Sequence, residues 1–125
     1  TKSLIDEGAD VVMPVAGPVG LGSVEAANEA SGVKLIWVDT DGCLSVPDAC
    51  DIFLTSVQKK MDNAVFDSIS SVVEDSFEAG LYVGTLDNDG VGIPELGDDV
   101  PAELADKVEE YRQAIIDGSQ SVSPS

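Results

Sequence analysis

The chain has 125 residues and is 43% apolar, enough to bury one core and too little for two independent ones. Lys and Arg total 6 against 24 Asp and Glu, a formal net charge of −18, so phosphate backbones and anionic membrane surfaces are repelled and nucleic acid is a poor partner for these residues. There is no histidine, which removes mechanisms built on an imidazole base, the Ser-His-Asp triads included.

The opening Thr1-Lys2-Ser3-Leu4-Ile5-Asp6-Glu7-Gly8 reads as the last turns of a helix stopped by glycine. With no Met at its head, it implies upstream sequence and any targeting segment carried there. No run approaches the roughly 18 to 20 apolar residues of a membrane span. Residues 9–16 contain a short apolar strand, and Gly17-Pro18-Val19-Gly20-Leu21-Gly22 is a glycine-rich turn. Ser23 is the expected cap of a helix carrying Val24, Ala26, Ala27 and Ala30 and ending by Gly32. Val33 to Val38 is the next buried strand, so the unit is βαβ and the sheet parallel.

A loop over residues 39–51 leads to a third strand, Ile52 to Val57. Met61, Val65, Ile69, Val72, Val73 and Phe77 then recur at helical spacing and predict a helix reaching Gly80. Leu81 to Leu86 reads as a strand, Asp87-Asn88-Asp89-Gly90 as a turn, and a last helix starts at Pro101 with Leu104, Val108, Tyr111 and Ile115 on one face until Gly118. Trp37 and Phe53, inside strands, belong to the core. The Asp98-Asp99 pair reads as a solvated acidic turn leading the last helix.

Two stretches carry chemistry. The glycine turn aims backbone N–H groups at the carboxyl edge of the sheet, where a carboxylate, phosphate or sugar hydroxyl can be held. Its spacing does not match G-x-G-x-x-G, and a tight connection without a ligand is the alternative. Asp39-Thr40-Asp41-Gly42 leaves a strand end. A calcium loop fails, since the twelfth position from Asp39 is Cys50 and no bidentate Glu stands there. A haloacid-dehalogenase-like phosphatase fits better: Asp39 would be the nucleophile, with Thr55, Lys59 or Lys60, and Asp98-Asp99 following in that family's order and Mg²⁺ in the site. Against it, a complete βα unit precedes the supposed first strand, and residues 92–97 make a poor buried strand.

Taken together, Gly8-Ala9-Asp10-Val11-Val12, residues 16–22, Glu25-Ala26-Ala27, Val38-Asp39-Thr40-Asp41 and Leu54-Thr55-Ser56-Val57-Gln58-Lys59-Lys60-Met61-Asp62 resemble the basic membrane protein family, the purine-nucleoside-binding lipoproteins that feed ABC importers. The resemblance continues through Asp89-Gly90-Val91-Gly92-Ile93 to Ile115-Ile116-Asp117-Gly118 and covers nearly the whole chain. It implies an α/β fold, a Rossmann-like parallel sheet with flanking helices, as the carboxyl-terminal half of a two-lobed type I periplasmic-binding-protein fold. Residues 1–59 would be the second-lobe βαβ unit with ligand-facing loops. Residues 60–88 would cross the hinge and pack a helix on the first lobe, and residues 89–125 would return with the last helix.

By the same resemblance the protein is no enzyme and has neither metal nor cofactor. It would bind a nucleoside or similar ribose-bearing solute and deliver it to a permease from outside the cytoplasm, held to the membrane by a lipid anchor beyond this sequence. Asp39 and Lys59 would hold the ribose hydroxyls, aided by backbone near Gly17. Val15 stands where the family often places an aromatic ring to stack on the base, a contact worth roughly 1 to 3 kcal/mol. A sugar-binding regulator domain shares this fold and is the further alternative.

Cys43 and Cys50 lie seven positions apart with Pro47 and Asp48 to turn the chain between them, and a structural disulfide is the simplest paired role. A zinc site would need two more ligands, and a redox pair is more often C-x-x-C. Two free thiols are the alternative inside the cytosol, whereas the importer reading places the pair where disulfides persist.

Overall fold

The computed structural model describes residues 1–123. Its first helix, α1 (Lys2–Asp6), ends as the sequence predicts. Gly8 takes φ +99°, and the N–H groups of Gly8 and Ala9 return to the carbonyls of Ile5 and Leu4, each at 2.9 Å. This is the Schellman closure, which a residue without Cβ adopts at least cost.

The chain then forms β1 (Val11–Val12), a 3₁₀ turn (Gly17–Gly20), α2 (Leu21–Glu29), β2 (Lys34–Asp39), α3 (Gly42–Ser45), a second 3₁₀ segment (Pro47–Ile52), β3 (Phe53–Lys59), α4 (Met61–Val73), β4 (Val91–Gly92) and α5 (Ala102–Ile116). The strand order is β1-β2-β3-β4, and β1, β2 and β3 run parallel, as the alternation of strand and helix requires. Between β2 and β3 the register passes from Leu35↔Phe53 to Ile36↔Thr55, skipping Leu54. The carbonyl of Leu54 instead accepts the N–H of Gly97 at 2.7 Å, so the bulge anchors the segment after β4.

Contacts divide the chain into two units. The first is Thr1–Gln58 with Ile93–Val100. Its core gathers Val12, Val24, Ala27, Val33, Leu35, Trp37, Ala49, Ile52 and Phe53, and Trp37 and Phe53 meet with ring centroids 5.5 Å apart at 53°, a tilted packing that suits their quadrupoles. The second unit is Lys59–Gly92 with the residues from Pro101 onward. Neither α4 nor α5 buries a residue. Phe66 and Val73 on α4 are 70% and 78% exposed, so an amphipathic stripe faces outward.

Four sequence expectations are corrected. Ser23 caps nothing: α2 begins at Leu21 out of the 3₁₀ turn, and Ser23 is buried with its Oγ 2.5 Å from Thr1 Oγ1. The predicted helix to Gly80 stops at Val73 because Asp75 adopts φ +54°. The N–H groups of Asp75 and Ser76 turn back to Val72 and Ser71, again a Schellman closure, here without glycine. Residues 81–86 form no strand. The Asn88 side chain takes over what a ladder would supply, accepting from the N–H of Thr85 at 2.7 Å and of Gly90 at 3.0 Å and donating to the Val83 carbonyl at 2.9 Å. Pro101 is the cap of α5, at ψ 140°, and Ala102 is the first helical residue.

Candidate functional site

The first unit carries its distinctive chemistry at the carboxyl ends of the parallel strands, where such sheets present loops to ligands. At the end of β2, Asp39 sits at φ +71°, and the N–H of Thr40 donates to the Val38 carbonyl at 2.9 Å across it. This is the rare, strained form of the γ-turn. A non-glycine residue held there persists only where its surroundings enforce it, and such residues cluster at binding sites. Asp39 lies opposite Gln58 in the register, and Lys59 follows as the last residue of β3.

Beyond the turn, Asp41 Oδ1 accepts the N–H of Cys43 at 2.9 Å and so caps α3. Gly42 donates its N–H to the buried Ser56 Oγ at 2.9 Å. A Cβ on Gly42 would stand 2.9 Å from the Phe53 ring and 3.0 Å from Trp37, and one on Gly20 would stand 3.0 Å from the Trp37 ring. The aromatic pair is therefore the floor on which both loops rest, and glycine is what lets the backbone come so close. On the other loop Gly17 has φ +52°, while Val15 and Val19 are 77% and 78% exposed.

Cys43 and Cys50 are joined by a disulfide, with Cα atoms 4.5 Å apart. Both line a cavity of about 680 Å³ together with Asp41, Asp51, Thr55 and Glu95. Thr55 Oγ1 is buried without a hydrogen-bond partner. Lys34 bridges this region, paired with Asp99 and donating to the Asp51 carbonyl at 2.8 Å.

In the second unit Lys60 Nζ lies 3.2 Å from Asp89 Oδ1, and Asn63 Nδ2 donates to the Asp89 carbonyl at 2.9 Å. Lys60 thus fastens the 87–90 turn to the start of α4. The phosphatase reading gains no support. Asp41 is committed to a helix cap and Asp99 to Lys34, and no cluster of three or more Asp, Glu or Cys among the described residues could hold a metal ion.

Of the four residues expected to meet a ligand, Asp39 ends β2 and Lys59 ends β3. Gly17 opens the 3₁₀ turn after β1, and Val15 precedes it on the same connection. Sequence reasoning missed the strain at Asp39 and the Gly42–Ser56 bond. The signal for the second was the polar pair Thr55-Ser56 inside the run from Ile52 to Val57.

A parallel α/β sheet with loops gathered at its carboxyl edge defines the class, a Rossmann-like lobe. The chain belongs to the family of PnrA-like ABC transporter substrate-binding proteins, whose model matches residues 1–124. It is similar to the CD4+ T-cell-stimulating antigens of Listeria monocytogenes and Listeria innocua, at 32% identity in each case over 97% of this chain. It spans 38% of the length of those relatives. Among solved structures, it shares its fold with a transcriptional activator of the comK gene from Bacillus halodurans (TM-score 0.85, 20% identity, 98% of this chain and 42% of that one). An ABC transporter solute-binding protein from Aeropyrum pernix has the same fold (TM-score 0.78, 22% identity, 98% and 43%).

Proposed function

We propose that the full-length protein is the solute-binding component of an ABC importer, that it closes around a nucleoside or similar ribose-bearing ligand, and that it performs no reaction on it. The observation that carries this reading is the strained turn that holds Asp39 at the carboxyl end of β2 in a chain of the substrate-binding family. Asp39 accepts hydrogen bonds from a ligand diol, Lys59 donates to the same ring, Gly17 offers backbone, and Val15 gives an aliphatic wall. Residues 1–59 belong to the second lobe. The exposed stripe of α4 packs on the first lobe, and residues 89–125 return.

Capture works by differential affinity: the ligand bridges both lobes and stabilises the closed form, which the permease recognises. The protein works outside the cytoplasm and is held by a lipid anchor beyond these residues. Calorimetry of the full-length protein against nucleosides and free sugars tests the ligand class, with binding of a ribose-bearing member expected. Phosphate release in the presence of Mg²⁺ that Asp39→Asn abolishes would replace this reading with the phosphatase. One protein of the same fold is a transcriptional activator, and DNA retardation by the full-length protein would favour a regulator.

A further inference from the structure

The loop between β2 and β3 is held in two different ways. Its second half is embedded: Ala49 and Ile52 are buried in the core. Its first half is α3, a four-residue helix, far below the length at which a helix stands alone in water. Leu44 on it is 82% exposed and so adds no packing. What ties α3 down is the Gly42–Ser56 hydrogen bond at its start, the Asp41 cap, the packing of the half-buried Cys43 and Val46 against the core and the bridge from Cys43 to Cys50. Cys50 is exposed, and both cysteines line the cavity beside Asp41 and Asp51, so the bridge can be reached from solvent.

We propose that the Cys43–Cys50 disulfide is a redox-sensitive latch, and that a dithiol opening it frees α3 and releases the Asp41 carboxylate from its cap. A thiolate of the dithiol attacks Cys50 Sγ, and Cys43 leaves as a thiolate and takes up a proton. The second thiol of the reductant then displaces Cys50, so two electrons and two protons pass to the protein while the dithiol becomes a disulfide. The carboxylates of Asp41 and Asp51 beside the bridge repel the attacking thiolate, and repel that of glutathione more because it carries a further net negative charge, so a dithiol with no charge besides its thiolate opens the bridge faster than glutathione does. Once Asp41 loses the Cys43 N–H, a second carboxylate becomes mobile two residues from Asp39. This control of capture rests on the reading that Asp39 binds the solute.

The test is amide hydrogen exchange in the full-length protein, oxidised, reduced with dithiothreitol, and as the Cys43→Ser/Cys50→Ser variant. Exchange at Cys43, Ser45 and Val46 is expected to speed up about tenfold or more in the reduced and variant forms, with the amides of Leu35 to Val38 unchanged. Equal exchange at α3 in both redox states overturns the latch, as does a bridge that dithiothreitol cannot open in the folded protein, read by thiol alkylation. Adenosine titrated in parallel is expected to bind about tenfold more weakly after reduction, and unchanged affinity overturns the control of capture. Failure of the solute reading shows separately, as no binding of any nucleoside or sugar by the oxidised protein.

Discussion

Ser56 is 1% exposed, and its hydroxyl accepts the Gly42 N–H. Ser56→Ala should cost roughly 1 to 3 kcal/mol, the penalty of a buried donor left unmade, and a denaturation midpoint equal to wild type would contradict the assignment. Its neighbour Thr55 poses the opposite case, because Oγ1 is buried and unpaired. Thr55→Val keeps the shape and removes the orphan, so a gain of about 1 kcal/mol is expected in the same assay. Sequence placed Trp37 and Phe53 in the core because both stand in apolar strands. It could not show that two glycines rest on them, since that depends on a contact between residues far apart in the chain. Nor could it show the φ of Asp39, because Asp is merely tolerant of the left-handed region.

The helix ends show what local signals can and cannot carry. Gly8 and Gly118, both at positive φ, were legible as stops because glycine announces the conformation. Asp75 makes the same turn without announcing it, so apolar spacing through Phe77 outran the true end of α4. Asp75→Gly should stabilise the full-length protein by roughly 0.5 to 1 kcal/mol by relieving the left-handed penalty, and a loss of stability would show that the Asp side chain holds the turn. At the end of α5 the Ser119 N–H donates to Asp117 Oδ1 at 2.8 Å, and hydrogen bonding from Ser119 lowers the pKa of this carboxyl. A depressed folded value means that its contribution is present above the ordinary Asp value, about 3.9, and is lost as pH falls through the folded value. Fraying of residues 114–119 in a carbon-detected NMR titration should appear only in that acid range. The missing strand at 81–86 has a similar lesson: apolar composition predicted a ladder, while a single Asn side chain satisfied the backbone from within.

At the scale of the whole molecule, the parallel order was readable from alternation alone, whereas the exposure of α4 and α5, neither of which buries a residue, was not, because apolar spacing marks a face without saying what that face meets. A net charge of −18 makes the compact state repel itself, and salt screens that repulsion over a Debye length that shrinks from about 10 Å at 0.1 M to about 3 Å at 1 M. Exchange of the core amides of Leu35 to Val38 in the full-length protein should therefore slow as NaCl rises across that range, and equal or faster exchange would deny the charge a role. The central claim is that Asp39 is strained into place in order to meet a solute. Calorimetric titration of a nucleoside into the full-length protein and its Asp39→Ala variant tests it most directly. Loss of one or two charge-assisted hydrogen bonds should weaken affinity about tenfold to a hundredfold while the unliganded melting temperature stays within a few degrees of wild type. Equal affinity in the two proteins would remove Asp39 from the site and contradict the account.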